Sequence, residues 1–198
     1  LAKYTPSGAH VWSRRFGGPD DDFALPPAVN AAGDVALQVE EEIVRLDTAG
    51  TERFRRTAWP RSPLALDAAG NLVFAERSLE PRFSVAKLDA AGATLWVKEV
   101  PVLDGGASAE HITTDGEGNV IFAGDINGSI DVGVVIARRS SEGDMQTFLV
   151  KLDPSGALVY GLGWETRYVS QHLRFTVGLS KPFASFRMMD AIFPSDVG

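Results

Sequence analysis

Two interleaved motifs at a common spacing predict an all-β chain of four-stranded units, arranged as the blades of a β-propeller. The first motif occurs four times: Ala2-Lys-Tyr-Thr-Pro-Ser-Gly8, Val44-Arg-Leu-Asp-Thr-Ala-Gly50, Ala86-Lys-Leu-Asp-Ala-Ala-Gly92 and Val150-Lys-Leu-Asp-Pro-Ser-Gly156. Four residues after each glycine stands an aromatic: Trp12, Phe54, Trp96 and Tyr160. The first three glycines are 42 residues apart (50 − 8 and 92 − 50), and the last step of 64 (156 − 92) marks an insertion. The second motif reads Asn30-Ala-Ala-Gly33, Asp67-Ala-Ala-Gly70 and Asp115-Gly-Glu-Gly118, each leading into an apolar run. A period of about 40 residues with four short runs per unit is the pattern of propeller blades. The runs are too short for a solenoid of helix pairs and lack its 3.6-residue period.

Taken in order, the chain opens on the last two strands of one blade, residues 1–17. Three full units follow at about 24–58, 63–100 and 109–161, with the insertion inside the third. In the second unit the strands are expected over 63–66, 71–76, 83–88 and 94–99. Residues 162–198 match no unit. They hold an alternating stretch over 168–179, read as a strand pair, and a short helical pattern over 182–192. In the latter, Phe183, Phe186, Met189 and Ile192 recur every third residue and Ser180 stands as a cap.

Each motif reads as a hairpin turn. An apolar run ends in Asp or Asn, whose side chain accepts hydrogen bonds from backbone N–H groups just beyond it. In the first motif these are Asp47, Asp89 and Asp153. Glycine three residues later (Gly8, Gly50, Gly92 and Gly156; Gly33, Gly70 and Gly118 in the second motif) supplies the positive φ that closes the turn. Trp12, Phe54, Trp96 and Tyr160 are then expected between neighbouring sheets, where a flat, large side chain fills the wedge. Because these Asp residues recur at equivalent places, turn capping explains them better than catalysis or metal binding.

Composition narrows the function classes. The net charge is −7, which argues against nucleic-acid binding. The densest basic group, Arg53, Arg55 and Arg56, would be split between two faces of a strand by alternation. With no cysteine there are no disulfides or thiolate metal sites, and the compartment stays open. No apolar run reaches the roughly 18 residues of a membrane helix.

The repeats resemble the bacterial β-propeller repeat family (SBBP, seven-bladed β-propeller repeats). The likeness is carried by Trp12, Gly17, Gly18, Asp22 and Ala24 ahead of Asn30-Ala-Ala-Gly33. It is equally close from Gly118-Asn-Val-Ile-Phe-Ala-Gly124 through Gly128-Ser-Ile-Asp-Val-Gly133 to Phe148-Leu-Val-Lys-Leu-Asp-Pro-Ser-Gly156. The resemblance implies a propeller, usually of a secreted or cell-surface bacterial protein, and implies no catalytic residues. Similarity to quinoprotein-like and outer-membrane-assembly propellers is weaker. It rests on the Asp-x-x-Gly turn followed by Trp, as from Asp89 to Trp96. Quinoprotein dehydrogenases have a vicinal cysteine pair at the cofactor, which this chain lacks.

Few other residues suggest chemistry. Asp125, Asn127 and Asp131 have a spacing somewhat like a calcium loop but lack its later Glu, so an ordinary loop is expected. The Asp20-Asp21-Asp22 run reads as loop solvation, with Asp22 as a capping acceptor. His10, His111 and His172 stand apart, and no hydrolase, zinc-protease or nucleotide-binding motif is present. The expectation is therefore a non-catalytic binding or scaffold module without a cofactor, placed outside the cell or in its envelope, with a protein or carbohydrate partner. The alternative is a hydrolase or lyase acting on polysaccharide in the channel. Three and a half blades would leave sheet edges open to self-association. A longer parent chain is expected to cover them, rather than residues 165–171 and 173–179 pairing with 1–5 and 10–16.

Overall fold

A computed structural model describes residues 1–18, 26–58, 64–77, 81–137 and 146–165, and every regular element among them is a β-strand. A half-blade consists of β1 (Ala2–Tyr4) and β2 (His10–Ser13). Blade 1 follows with β3 (Ala28–Val29), β4 (Val35–Val39), β5 (Glu42–Leu46) and β6 (Glu52–Thr57). Blade 2 contains β7 (Ala65–Leu66), β8 (Leu72–Arg77), β9 (Arg82–Leu88) and β10 (Thr94–Asp104). Blade 3 is built from β11 (Ala107–Thr114), β12 (Val120–Ile126), β15 (Gln146–Leu152) and β16 (Leu158–Glu165). Within each blade, neighbours in sequence pair antiparallel, so each is a four-stranded meander. The described residues are all-β and form stacked propeller blades.

Burial explains the strand sequences. β4, Val-Ala-Leu-Gln-Val, is buried at all five positions, because a middle strand is covered by a neighbouring blade on each side. β6, an outer strand of composition Glu-Arg-Phe-Arg-Arg-Thr, buries only alternate positions, and only partly. Alternation then assigns residues to blade interfaces. Val35, Leu37, Val44 and Leu46 pack with Trp12 and Phe16 of the half-blade. Ala36 and Ile43 meet Leu72, Phe74 and Leu88 of blade 2, with Phe54 against them. Val73, Phe83 and Val85, from the other face of blade 2, meet Phe122, Phe148 and Val150 of blade 3. There Phe83 lies 6.2 Å from Phe122 and 6.1 Å from Phe148, centroid to centroid. Each fully buried side chain of this size contributes about 1.5–3 kcal/mol.

The insertion goes somewhere the sequence does not announce. Residues between β12 and β15 form a hairpin, β13 (Ser129–Asp131) and β14 (Val135–Ala137), which pairs with β10 of blade 2 rather than with blade 3. Blade 2 thus becomes a six-stranded sheet, and residues 109–161 do not form a single sheet. β10 extends past the expected boundary at 100 to Asp104, since Val102 and Asp104 pair with Ile130 and Ser129. The hairpin also lies over β16. A Cβ at Gly161 would approach Ile136, Val132 and Val134 within 3.3 Å, and one at Gly163 would meet Ile136 at 2.8 Å. Glycine here permits close approach within a strand, so the expected end at 161 falls inside β16. That strand keeps its ladder through Trp164↔Thr147 to Glu165↔Gln146. The Asp20–Asp22 run, His172, the 168–179 strand pair and the 182–192 helix lie outside the described residues.

Candidate functional site

Because each blade is an antiparallel meander, its first and third turns fall on one edge; its second turn and the link to the next blade fall on the other. The turn edge carries the repeated residues. Asp47, Asp89, Asp115 and Asp153 each accept hydrogen bonds from backbone N–H groups two and four residues on, at 2.8–3.0 Å. Gly8, Gly33, Gly50, Gly70, Gly92, Gly118 and Gly156 all have positive φ. Gly92, at φ +90°, has a second constraint: an ideal Cβ there would lie 2.8 Å from the Phe54 ring. Trp12 covers Gly50 and Trp96 covers Gly156 in the same way. The two indole N–H groups donate to the Thr48 and Pro154 carbonyls at 3.2 and 3.0 Å. The recurrent aromatic of one blade therefore sits on the turn glycine of the next. Tyr160 packs beside Ile121, Ala123 and Leu149 of its own blade.

A further repeated group lies in the same motif: a cation stands two residues before each turn Asp or its Thr5 counterpart, at Lys3, Arg45, Lys87 and Lys151. Lys3 donates to the Gly33 and Thr48 carbonyls, both at 3.0 Å. Arg45 reaches the Gly70 carbonyl at 3.3 Å and Lys87 the Gly118 carbonyl at 3.1 Å, each in the next blade. Three of the four also pair with an acid of their own blade: Arg45 with Asp34 (3.0 Å), Lys87 with Asp67 (3.0 Å) and Lys151 with Asp115 (2.9 Å). That acid is hydrogen-bonded to an amide four residues away, and blade 1 swaps the two types: Asn30 with Asp34, against Asp67 with Asn71 and Asp115 with Asn119. Arg45 and Lys87 are only 2% exposed, so these are buried struts. Burial pulls the Arg45 guanidinium below its usual value against the opposing effect of Asp34. Burial pushes the Asp67 and Asp115 carboxyls up, but hydrogen bonds from Asn71 and Asn119, with Lys87 and Lys151, outweigh it and hold both below the usual range. The signal was in the sequence, as a Lys or Arg in every copy of one motif.

The opposite edge of blade 3 is individual. β11 carries a bulge at Glu110, since Ala109 pairs with Gly124 and His111 with Ala123. The bulge needs Gly124: an ideal Cβ there would sit 1.8 Å from the Ser108 carbonyl oxygen. The Ser108 hydroxyl donates to Glu110 Oε1 at 2.6 Å. The pairing puts His111 on the same face as Ala123 and Asp125, and the Thr147 hydroxyl donates to Asp125 Oδ1 at 3.4 Å. Burial lowers the His111 pKa more than Glu110 and Asp125 raise it, so the imidazole is neutral at pH 7. The Ser108 hydroxyl is thus engaged by the Glu110 carboxylate. What results is a group of two carboxylates, a neutral imidazole and hydroxyls around the kink at Glu110.

The other candidates separate. Asp125 belongs to β12. Asn127 Oδ1 takes the Gly106 N–H at 2.5 Å, and Asp131, in β13, caps the Gly133 N–H at 2.8 Å. Among the described residues no three His, Cys, Asp or Glu side chains gather where a metal ion could be held. Arg53 pairs with Asp47 at 3.1 Å, Arg55 with Glu42 and Glu52, and Arg56 donates to Thr94 at 3.0 Å. A polar recess of about 330 Å³ lies where the half-blade meets blade 1, bordered by Arg14, Arg15, Glu52 and the already paired Arg55. No helix among the described residues is long and apolar enough to cross a membrane.

No family model and no curated protein matches the chain. Among solved structures, a protein of unknown function from Bacteroides caccae is similar at TM-score 0.47 and 14% identity, over 79% of this chain and 65% of that one. A mutant of the Synechocystis apocarotenoid oxygenase is similar at TM-score 0.41 and 12% identity, over 83% and 44%. TolB from Acinetobacter baumannii is similar at TM-score 0.34 and 13% identity, over 84% and 59%. The chain spans less than two thirds of each of these structures, and the propeller assignment rests on its own blades, their hydrogen-bond pattern and their repeated stitches.

Proposed function

We propose that the chain is a binding module: a rigid stack of propeller blades that presents the kinked edge of blade 3 to a hydroxyl-rich ligand such as a polysaccharide chain. The observation carrying this reading is the division of labour between edges. The repeated cations and aromatics are spent on joining blades, whereas Glu110, His111 and Asp125 gather at a bulge that needs Gly124, a position held by Val39 in blade 1 and Glu76 in blade 2. Carboxylates and a neutral imidazole side by side suit hydroxyl groups, which donate to the one and exchange hydrogen bonds with the other. Resemblance of the repeats to bacterial propeller repeats supports a scaffold role outside the cell or in its envelope.

The test is affinity electrophoresis of the purified chain through gels containing a soluble neutral or acidic polysaccharide, with a reducing-end assay in parallel. Retardation that is lost in His111→Ala, with no new reducing ends, is the expected result. Reducing ends that appear with the chain and vanish in Glu110→Gln would make it a hydrolase. Unaltered mobility in every polymer would overturn the carbohydrate reading.

A further inference from the structure

At the root of the β13–β14 hairpin two stretches of chain cross backbone against backbone. Gly105 and Gly106 join blade 2 to blade 3, and Asn127 and Gly128 join β12 to the hairpin. Gly105 has φ +65°, and an ideal Cβ on it would lie 2.4 Å from the Asn127 carbonyl oxygen and 2.7 Å from Asn127 Oδ1. A Cβ on Gly128 would lie 2.1 Å from the Asp104 carbonyl oxygen. Position 128 therefore requires glycine, because main chain occupies the space a side chain would take. Asn127 completes the crossing. Its N–H donates to the Gly106 carbonyl at 2.9 Å, and its Oδ1 accepts the Gly106 N–H at 2.5 Å, so a side-chain amide stands where a ladder would use a backbone carbonyl. The fold thus calls for Asn followed by Gly at this point.

That pair has chemistry of its own. The side-chain carbonyl carbon of an Asn can close a five-membered ring with the nitrogen of the next residue, and glycine presents that nitrogen with no Cβ in the way. Asn30, Asn71 and Asn119 are followed by Ala31, Leu72 and Val120, and each donates its Nδ2 to a carboxylate, of Asp34, Asp67 and Asp115. Asn127 is the exposed one of these four, and the one that precedes glycine. The Gly106 N–H also draws electron density from Asn127 Oδ1, which makes the attached carbon a better electrophile.

We propose that Asn127 is a self-modification site whose conversion unfastens the β13–β14 hairpin from blade 2. The Gly128 nitrogen bonds to the Asn127 side-chain carbonyl carbon, the bond from that carbon to Nδ2 breaks, and the Gly128 proton departs with the nitrogen as ammonia. Water then opens the cyclic imide. Opening at the side-chain carbonyl leaves aspartate; opening at the main-chain carbonyl leaves isoaspartate, whose main chain runs through Cβ. Either product adds a negative charge to a crossing that already holds Asp104, whose carboxylate accepts the Ser129 hydroxyl. Isoaspartate also lengthens the main chain where Gly105 and Gly128 leave no slack. The hairpin is fastened to β10 through Val102↔Ile130 and Asp104↔Ser129, and the second pair adjoins this crossing.

The test follows the full chain at mildly alkaline pH, where the Gly128 nitrogen loses its proton more readily, by peptide mass mapping and an isoaspartyl methyltransferase assay. The mass change of amide to acid should appear at Asn127 ahead of Asn30, Asn71 and Asn119, at a rate within about tenfold of that in the urea-unfolded chain. Asn127→Gln should abolish it, since the ring to be closed is one atom larger. Hydrogen exchange on the modified chain should then be about tenfold faster over 129–137, with 72–77 unchanged. The measurements on the unaltered chain stand whether or not the Gln variant folds. A native chain that keeps its Asn127 amide while the unfolded chain loses it would overturn the inference, because the fold would then shield the site. So would modification at Asn127 that leaves exchange over 129–137 as it was.

Discussion

The two edges of the blades are built under different rules. On the turn edge blades 1 and 2 repeat one device: an Asp-capped turn, a glycine beneath the neighbour's aromatic, and a buried cation tied to its own acid and the next blade's backbone. On the other edge the described connections differ from blade to blade. β4 and β5 are separated by two residues, Glu40 and Glu41, whereas the link between β12 and β15 contains a hairpin that reinforces blade 2. The difference teaches that joining one blade to the next is a single physical problem solved several times with one set of groups. The opposite edge, free of that duty, is where individual side chains such as Glu110, His111 and Asp125 can serve recognition.

This comparison breaks most readily at the struts. Lys87→Ala should destabilise by about 3–5 kcal/mol in a urea titration, since it leaves Asp67 buried without its cation. A loss below about 1 kcal/mol would mean that the strut is dispensable. Trp96→Ala comes next, at about 2–4 kcal/mol, because it removes a large, partly buried ring and a hydrogen bond to the Pro154 carbonyl. Gly92→Val should cost about 1–3 kcal/mol in the same titration, as a β-branched residue is strained at φ +90° and would press on Phe54.

Acid probes the same edge more gently. Asp67 and Asp115 are held below their usual range in the folded chain, so their contribution is fully present above the unfolded value of about 3.9. It is lost as the pH falls through the folded values. The melting temperature should therefore decline below about pH 4, and Asp115→Asn should flatten that decline. His111→Ala, on the other edge, should change stability by no more than about 0.5 kcal/mol while abolishing retardation in the polysaccharide gel. If it instead cost as much as Trp96→Ala, the contrast between the edges would fail.

Much of the turn edge was legible because its signals are local. A turn needs its capping acid and its positive-φ glycine within a few residues, so Asp89 and Gly92 disclose themselves by spacing alone. The buried cation was equally visible as Lys or Arg in every copy of the motif. Its meaning was not, because the acceptor, such as Gly118 for Lys87, lies in another blade. The opposite edge was hardly legible. The bulge at Glu110 depends on which residues of β11 and β12 face each other, and nothing in either strand alone states that register.

By itself, then, the chain's sequence determined the all-β class, the four-stranded unit, the turns and the aromatics that join blades, since short-range sterics and a repeated period suffice for these. Only the tertiary structure decided that the insertion leaves blade 3 for the outer edge of blade 2, that Gly161 and Gly163 make room for it, and that β16 continues to Glu165. A strand's hydrogen-bonding groups lie along its edges and accept any edge that reaches them. Which edge does so depends on how packing brings the blades side by side.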